Sequence, residues 1–276
     1  MYEPGDSLIS IISDNYSVLQ SLGCFGISLG FGDKSVKDVC ESQHVDTHTF
    51  LTVINFTING YLNNEDIEKV SVSTLLHYLE ASHAYYLDFE LPAIRTGLND
   101  ALNDGDSVAR LIMKLYDEYA HAIRSHMLYE ERTVFPYVKA LERGELPNNY
   151  NIETFSKHHV QIDRKLHELK NIIIKYLPSD GLHNNQLTAI LYDIYNCERW
   201  LTDHSQVEDR IFIPAIRHMQ DQLHKNDVSL RISNMINQNP DSDSILSDRE
   251  KDVIVSLVQG MTNKEIADQL CLSIHT

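Results

Sequence analysis

One twelve-residue pattern occurs twice in the chain and constrains the fold more than any other feature. The first copy, Ser125–Pro136, reads SHMLYEERTVFP, and the second, Asp203–Pro214, reads DHSQVEDRIFIP. In both copies a His is followed four residues later by a Glu, then by an acidic residue and an Arg, and a Pro stands ten residues after the His. Residues four apart lie on one face of an α-helix, with Cβ atoms about 5–6 Å apart. Each copy therefore predicts a helix that presents one imidazole and one carboxylate to the same point.

Two such helices that face each other would supply two imidazoles and two carboxylates, from His126, Glu130, His204 and Glu208. A carboxylate has two oxygen atoms and can bridge two metal ions, which a neutral imidazole cannot do. The repeat therefore predicts a dinuclear metal site inside a helix bundle. A single His-x-x-x-Glu pattern usually means a solvent-exposed pair on a helix, so the prediction depends on the second copy and on the shared Arg and Pro.

Residues 72–222 contain four long stretches with helical apolar spacing, which predict an all-α, up-down-up-down four-helix bundle. The two stretches without the repeated pattern each place one His on the apolar face, namely His83 and His159, whereas His77 and His158 fall off it. A single His on an apolar face is more often a core residue than a ligand, but here the other helices already provide half of a site. The predicted ligand set is His83, His126, Glu130, His159, His204 and Glu208.

This set would give each metal two His nitrogens and two carboxylate oxygens, and would leave coordination positions open for a small molecule. Imidazole combined with carboxylate suits iron, and manganese and zinc remain alternatives. The four cysteines are widely spaced and contain no Cys-x-x-Cys, so neither a cysteine-rich zinc site nor a disulfide framework is indicated.

The segments outside the bundle predict three further parts. Residues 1–65 predict a small helical N-terminal unit, in which Ser35 caps one helix and Asn59-Gly60 ends another. Residues 223–245 are polar and predict a linker, and residues 246–276 contain two capping boxes in the order of a helix-turn-helix. The net charge of -17 argues against a generally basic surface for nucleic acid. Neither a signal sequence nor a membrane span is recognisable, which predicts a soluble cytoplasmic protein without membrane contact.

These motifs carry a family resemblance. Residues 72–222 resemble a hemerythrin-like (HHE) domain through His83 before a Leu-Pro, Ser-His126-Met-x-x-Glu130 before Phe-Pro, Lys-His-His159 and Asp-His204-x-x-x-Glu208. With an ScdA-like N-terminal unit, residues 1–222 resemble the bacterial di-iron proteins for repair of iron centres. The resemblance implies two iron ions in a carboxylate-bridged, non-haem centre that meets nitric oxide, dioxygen or peroxide. Gly30 and Phe31 stand where that family usually has a Cys pair, so its thiol chemistry does not carry over.

Residues 246–276 resemble a LuxR-type DNA-binding domain, through the stretches that begin at Leu246, Gly260 and Leu272. The resemblance covers about the first two helices of that domain. The chain ends at Thr276, where the recognition helix should begin, so contact with DNA is expected only through a helix missing from this chain.

The preferred hypothesis is a di-iron sensor of nitric oxide, oxygen or redox stress that is coupled to a LuxR-type transcription regulator. The alternative is a di-iron protein that acts directly in iron–sulfur cluster repair or in nitric oxide or peroxide chemistry. A third hypothesis is a metal store. Whether the chain is an enzyme, and whether it forms a homodimer, stays open.

Overall fold

The fold is all-α in the part of the chain that the structure describes, which confirms the predicted fold class. The computed structural model describes residues 1–102, 107–147, 152, 162–176, 184–237, 247–258, 261 and 263–270. Within these residues the α-helices are α1 (Leu8–Asp14), α2 (Val18–Cys24), α3 (Val36–Ser42), α4 (Thr47–Asn59), α5 (Asn64–Lys69), α6 (Val72–Tyr85), α7 (Leu91–Ala101), α8 (Ser107–Tyr129), α9 (Phe135–Glu142), α10 (Ile162–Tyr176), α11 (Asn184–Val207), α12 (Ile213–Asn237), α13 (Asp248–Val258) and α14 (Asn263–Gln269).

Three pairs of these helices are joined by a π-helical turn and form continuous rods. The turns are Tyr86–Glu90 between α6 and α7, Glu130–Val134 between α8 and α9, and Glu208–Phe212 between α11 and α12. A Pro stands two residues after the end of each turn. It has no backbone N–H and cannot donate to the carbonyl four residues earlier. The Pro of the repeated pattern therefore accompanies a π turn, a feature that the sequence did not predict.

The bundle consists of four rods, which are α6–α7, α8–α9, α10 and α11–α12. Each rod contacts the next in order along the chain, and the fourth also contacts the first. This arrangement is the predicted four-helix bundle.

Buried apolar side chains form two clusters along the bundle axis. One contains the core of the N-terminal helices together with side chains of α6, α9 and α12, among them Leu79, Phe135 and Ile213. The other contains side chains of α7, α8, α10 and α11, among them Tyr116 and Ile194. Three of the rods, α6–α7, α8–α9 and α11–α12, pass from one cluster to the other at the level of their π turns, and the candidate site lies at this level.

The N-terminal helices pack directly against the bundle. Helix α2 contacts α6, α4 contacts α11 and α5 contacts α12. The sequence predicted one apolar stripe from Leu8 to Leu22, but the helix is interrupted after Asp14. The predicted cap is present, because the Ser35 side chain accepts a hydrogen bond from the backbone N–H of Asp38. Gly60 ends α4 in the left-handed conformation at φ 66°, which favours glycine.

At the C-terminal end, α12 continues to Asn237 and contacts α13. Residues 223–237 are thus helical, although their polar composition predicted part of a linker. The first predicted capping box is confirmed, because the backbone N–H of Ser247 donates to Glu250 Oε2 at 2.6 Å and the N–H of Glu250 donates to Ser247 Oγ at 3.3 Å. The second begins at Thr262, outside the described residues. None of the described helices is long and apolar enough to cross a membrane.

Candidate metal centre

Four of the six predicted ligands converge between the two apolar clusters. Ligand atoms of His83, Glu130, His204 and Glu208 all lie within 4.8 Å of one another. The two imidazoles come from α6 and α11, and each carboxylate belongs to the first residue of a π turn. Solvent reaches none of the side chains except that of His204, which is 4% exposed. The sequence spacing therefore brings together residues from three rods in one buried cluster.

Glu130 lies between two imidazoles. Its Oε2 atom is 2.9 Å from His83 Nε2, and its Oε1 atom is 2.8 Å from His126 Nε2. His126 stands on α8 one turn before Glu130, and its side chain is 13% exposed. A carboxylate whose two oxygens face imidazoles from different rods has the arrangement that a bridging ligand needs. His126 thus adjoins the buried cluster through Glu130, whereas the predicted ligand His159 lies outside the described residues.

The second copy of the pattern has a similar geometry. His204 Nε2 lies 3.2 Å from Glu208 Oε1, four residues later on the same rod. The His204 ring is 5.2 Å from the His83 ring, measured between centroids. Both predicted His-x-x-x-Glu pairs therefore present their side chains to one region, as the helical spacing requires.

The π turns are part of how the site is built. In the first rod the N–H of Leu91 bonds to the carbonyl of Tyr86, so the carbonyl of Leu87 is released from the helical ladder. Arg124 of the second rod donates to that carbonyl through Nη2 at 3.1 Å. Single π turns within α-helices are frequent at functional sites. The released carbonyl is used here to join the first two rods one turn away from His83.

Two further polar contacts reach the outer nitrogens of the buried imidazoles. His83 Nδ1 lies 3.2 Å from Glu131 Oε1, and His204 Nδ1 lies 2.8 Å from Ser82 Oγ. The sequence did not predict a role for Ser82 or Glu131. The available signal was their position, because each is the immediate neighbour of a predicted ligand in the chain.

The donor set fits a metal cation. Glu130 and Glu208 are fully buried, and burial of a carboxylate costs several kcal/mol unless an opposite charge compensates it. Two imidazoles and two carboxylates are hard-to-borderline donors that suit iron, manganese or zinc. A divalent cation among them would offset the two negative charges and bind the lone pairs that face the centre.

The surroundings of the site are largely apolar. The ring of Phe135 stacks on His83 at a centroid distance of 5.2 Å, and the ring of Tyr86 lies 6.1 Å from that of His204. Burial raises the pKa of Tyr86 well above its ordinary value, so this phenol stays protonated at neutral pH. Burial also raises the pKa of Asp203, beside His204, to about 6, and Arg199 offsets part of that effect.

Cys24 and Trp200 line a small cavity that extends to His204 at the junction with the N-terminal helices. Burial raises the pKa of the Cys24 thiol to about 12, so the reactive thiolate is scarce at neutral pH. Trp200 stands one helical turn before His204 on α11.

Comparison with protein families identifies the bundle. Residues 74–216 match the family model described as the hemerythrin HHE cation binding domain. This match extends over just over half of the chain. The chain belongs to the hemerythrin HHE family. Membership of this cation-binding family and the buried His/Glu cluster together support a metal-binding function for the bundle.

The C-terminal residues 244–276 match a second family model, described as bacterial regulatory proteins of the luxR family. The chain therefore joins a hemerythrin HHE domain to a LuxR-type region. Searches of curated proteins and of solved structures found no match. The predicted ScdA-like character of the N-terminal unit lies outside both family matches and stays a prediction.

Proposed function

We propose that the chain is a non-haem di-iron sensor of nitric oxide, oxygen or redox stress, in which the hemerythrin HHE bundle controls the LuxR-type region. The observation that carries the proposal is the buried cluster of His83, Glu130, His204 and Glu208 in a chain that also has a LuxR-type region. A metal store needs no regulatory region. The presence of a hemerythrin HHE bundle and a LuxR-type region in one chain therefore favours a sensor.

Named residues account for the proposed metal centre. His83 and His204 would help to hold one ion, and His126 with the predicted ligand His159 would help to hold the second. Glu130 and Glu208 would supply carboxylate oxygens to the centre. When bound, an iron pair supplies a redox-active Lewis acid at which a small diatomic molecule can be recognised. The protein would contribute imidazole and carboxylate donors, leave room for a small ligand and keep bulk water out through its apolar surround.

The fourth rod provides a physical connection between the cluster and the C-terminal region. His204 lies in α11, Glu208 begins the π turn, and α12 continues without interruption to Asn237. Because α12 contacts α13, a shift of this rod is transmitted to the first helix of the LuxR-type region. Small displacements of packed helices are a common form of allosteric transition.

Hydrogen–deuterium exchange on the full chain tests the proposal. The chain is loaded anaerobically with ferrous iron and is then exposed to nitric oxide or, separately, to dioxygen. We expect one of these gases to change the optical spectrum and also the exchange rates in Asp248–Val258 and Asn263–Gln269. The His204→Ala variant serves as the control, since it should lose the response at both places.

Two outcomes would contradict the sensor. An iron-loaded chain that responds spectroscopically to a gas while α13 and α14 keep their exchange rates would remove the coupling. Sustained catalytic consumption of nitric oxide or peroxide without any change in these helices would instead favour a di-iron protein that acts directly in repair or detoxification.

A further inference from the structure

We infer that Ser82 and Glu131 are positioning residues of the metal centre, because they fix the tautomers of His204 and His83 and turn both Nε2 lone pairs toward the two glutamates. This inference rests on the proposed metal centre and deepens it. Neither residue touches the proposed metal positions with its own side chain, so their influence passes through the imidazoles.

The Ser82 hydroxyl has a single proton to donate. Ser82 Oγ donates that proton to the carbonyl of Leu79 at 2.9 Å, within its own helix. The contact of 2.8 Å to His204 Nδ1 must then have Ser82 Oγ as the acceptor and the Nδ1–H as the donor. A neutral imidazole carries one proton, so the His204 Nε2 atom holds a lone pair and faces Glu208. Ser82 is 2% exposed, and water therefore competes little for this bond.

Glu131 has a carboxylate, which accepts hydrogen bonds when ionised and does not donate them. The contact of 3.2 Å therefore assigns the proton of His83 to Nδ1, and His83 Nε2 faces Glu130 with its lone pair. The Glu131 side chain is 38% exposed, so solvent also reaches this carboxylate. An anionic partner on the outer nitrogen raises the basicity of the metal-facing nitrogen.

Each positioning residue serves a rod other than its own. Ser82 precedes the ligand His83 on α6 and orients His204 of the fourth rod, whereas Glu131 follows the ligand Glu130 in the second rod and orients His83 of the first. The two histidines that are oriented in this way are the pair assigned to one metal position. We therefore expect substitutions of Ser82 and Glu131 to weaken that position and to spare the one that uses His126.

Glu131 is a carboxylate and Ser82 is neutral. Variants of the two residues therefore distinguish the effect of orienting a histidine from the effect of a nearby negative charge. Glu131→Gln keeps an acceptor oxygen for the His83 Nδ1–H and removes the negative charge. Glu131→Ala removes both, and Ser82→Ala removes a neutral acceptor alone. Ser82→Thr keeps a hydroxyl, so it is the conservative partner of Ser82→Ala. Glu118→Gln is the matched control, because Glu118 is an exposed carboxylate on the second rod.

The experiment measures ferrous iron binding to the full chain by anaerobic competition with a chelator, together with the reduction potential of the loaded protein. Loss of a partner to a metal-binding His typically costs 10–100-fold in affinity. We expect Ser82→Ala and Glu131→Ala to weaken one of two irons by about 10–100-fold. Ser82→Thr, Glu131→Gln and the control should keep both irons, and Glu131→Gln should shift the reduction potential upward because a negative charge is lost.

The outcomes separate this inference from the proposed metal centre. If the unaltered chain binds no iron, the metal centre itself is wrong. If it binds two irons and both alanine variants keep wild-type affinity, Ser82 and Glu131 do not position the histidines. A variant that fails to fold is recognised by circular dichroism. In that case Glu131→Gln decides through the potential, since an unchanged potential in a folded, iron-loaded protein overturns the role of Glu131.

Discussion

The two copies of the His-x-x-x-Glu pattern contribute similar side chains to the candidate site but lead into different helices. Both place a His at the end of a long helix and a Glu at the start of a π turn, and both have a Pro shortly after the turn. The first copy continues into α9, which ends at Glu142. The second copy continues into α12, which reaches Asn237 and contacts α13. The His-x-x-x-Glu pattern is thus repeated within the chain, whereas the helix that contacts the LuxR-type region follows the second copy.

This difference assigns separate roles to equivalent residues. The Glu of the first copy, Glu130, faces imidazoles of the first and second rods, so we expect its substitution to act mainly on the contact between these rods. The Glu of the second copy, Glu208, begins the turn that leads to α12, so its main effect outside the site is on that rod. Changes in the two copies should therefore have the same effect on the metals and different effects on α13 and α14.

The largest expected effect is the loss of the dinuclear centre when either carboxylate is neutralised. Glu130→Gln and Glu208→Gln each remove a charge that offsets two cations, so both irons should be weakened together and the magnetic coupling should disappear. Electron paramagnetic resonance and iron analysis of the loaded variants measure this. A stable protein with one iron from either variant would show that the carboxylate is a terminal ligand and that the two copies are not equivalent.

The next effect concerns the two buried phenylalanines beside the π turns. Phe135 follows the π turn of the first copy, and Phe212 is the last residue of the π turn of the second copy. Their rings meet edge to face at a centroid distance of 6.4 Å. Truncation to Ala should cost about 3–5 kcal/mol of unfolding free energy at either position. Because Phe135 also stacks on His83, Phe135→Leu should weaken iron binding more than Phe212→Leu does. Equal iron affinities in the two Leu variants would remove this distinction between the copies.

Metal removal should lower the stability of the folded chain. The apo protein retains two buried carboxylates without the cations that would offset them, and a ligand at 100 times its dissociation constant stabilises a protein by about 2.7 kcal/mol. Thermal melting with and without a chelator measures the difference. The His126→Ala and His204→Ala variants should each show a smaller difference than the unaltered chain, and a full-sized difference in both would contradict the shared site.

The smallest effect is a pH dependence in the first rod, whose π turn begins with Tyr86, where the turns of the two copies begin with Glu. Glu90 ends this turn, and burial raises its pKa above the ordinary value of 4.5, although Tyr85 donates to its Oε2 at 2.7 Å. The folded state then binds the proton more tightly than the unfolded state does, so stability falls as the pH rises from 4.5 through the raised pKa.

The Glu90→Gln variant should remove this contribution and should unfold at a higher urea concentration at neutral pH than the unaltered chain. The comparison uses apo protein for both, so that the ligand groups contribute equally. Glu118→Gln is again the control, because its carboxylate is exposed. Parallel pH profiles for Glu90→Gln and the unaltered chain would show that Glu90 does not carry this dependence.

Much of the fold could be predicted from the sequence, because the information is periodic and local. The apolar spacing of residues 72–222 predicted the bundle, and the repeated spacing of four residues led to His126, Glu130, His204 and Glu208. The position of His83 in the buried cluster followed from its place on an apolar stripe. The structure does not test the ligand role of these residues, which stays a prediction together with His159 and the domain limits.

Other features depend on interactions that no local pattern records. A Pro lacks a backbone N–H and removes a hydrogen bond from its helix. Packing keeps each helix continuous past the Pro, and a π turn forms there. The contacts of Ser82 and Glu131 join different rods, so they appear only when the rods are placed side by side. The polar composition of residues 223–237 predicted a linker, but a polar stretch can extend a helix that has already begun in the core.

Mössbauer spectroscopy of the full chain, loaded anaerobically with ferrous iron and then oxidised, tests the central claim most directly. The claim is that the two copies of the pattern together bind one dinuclear iron centre. We predict two irons per chain in a single spin-coupled pair, and loss of that pair in both His126→Ala and His204→Ala. A chain that binds only one iron, or two uncoupled irons that survive both substitutions, would contradict the claim.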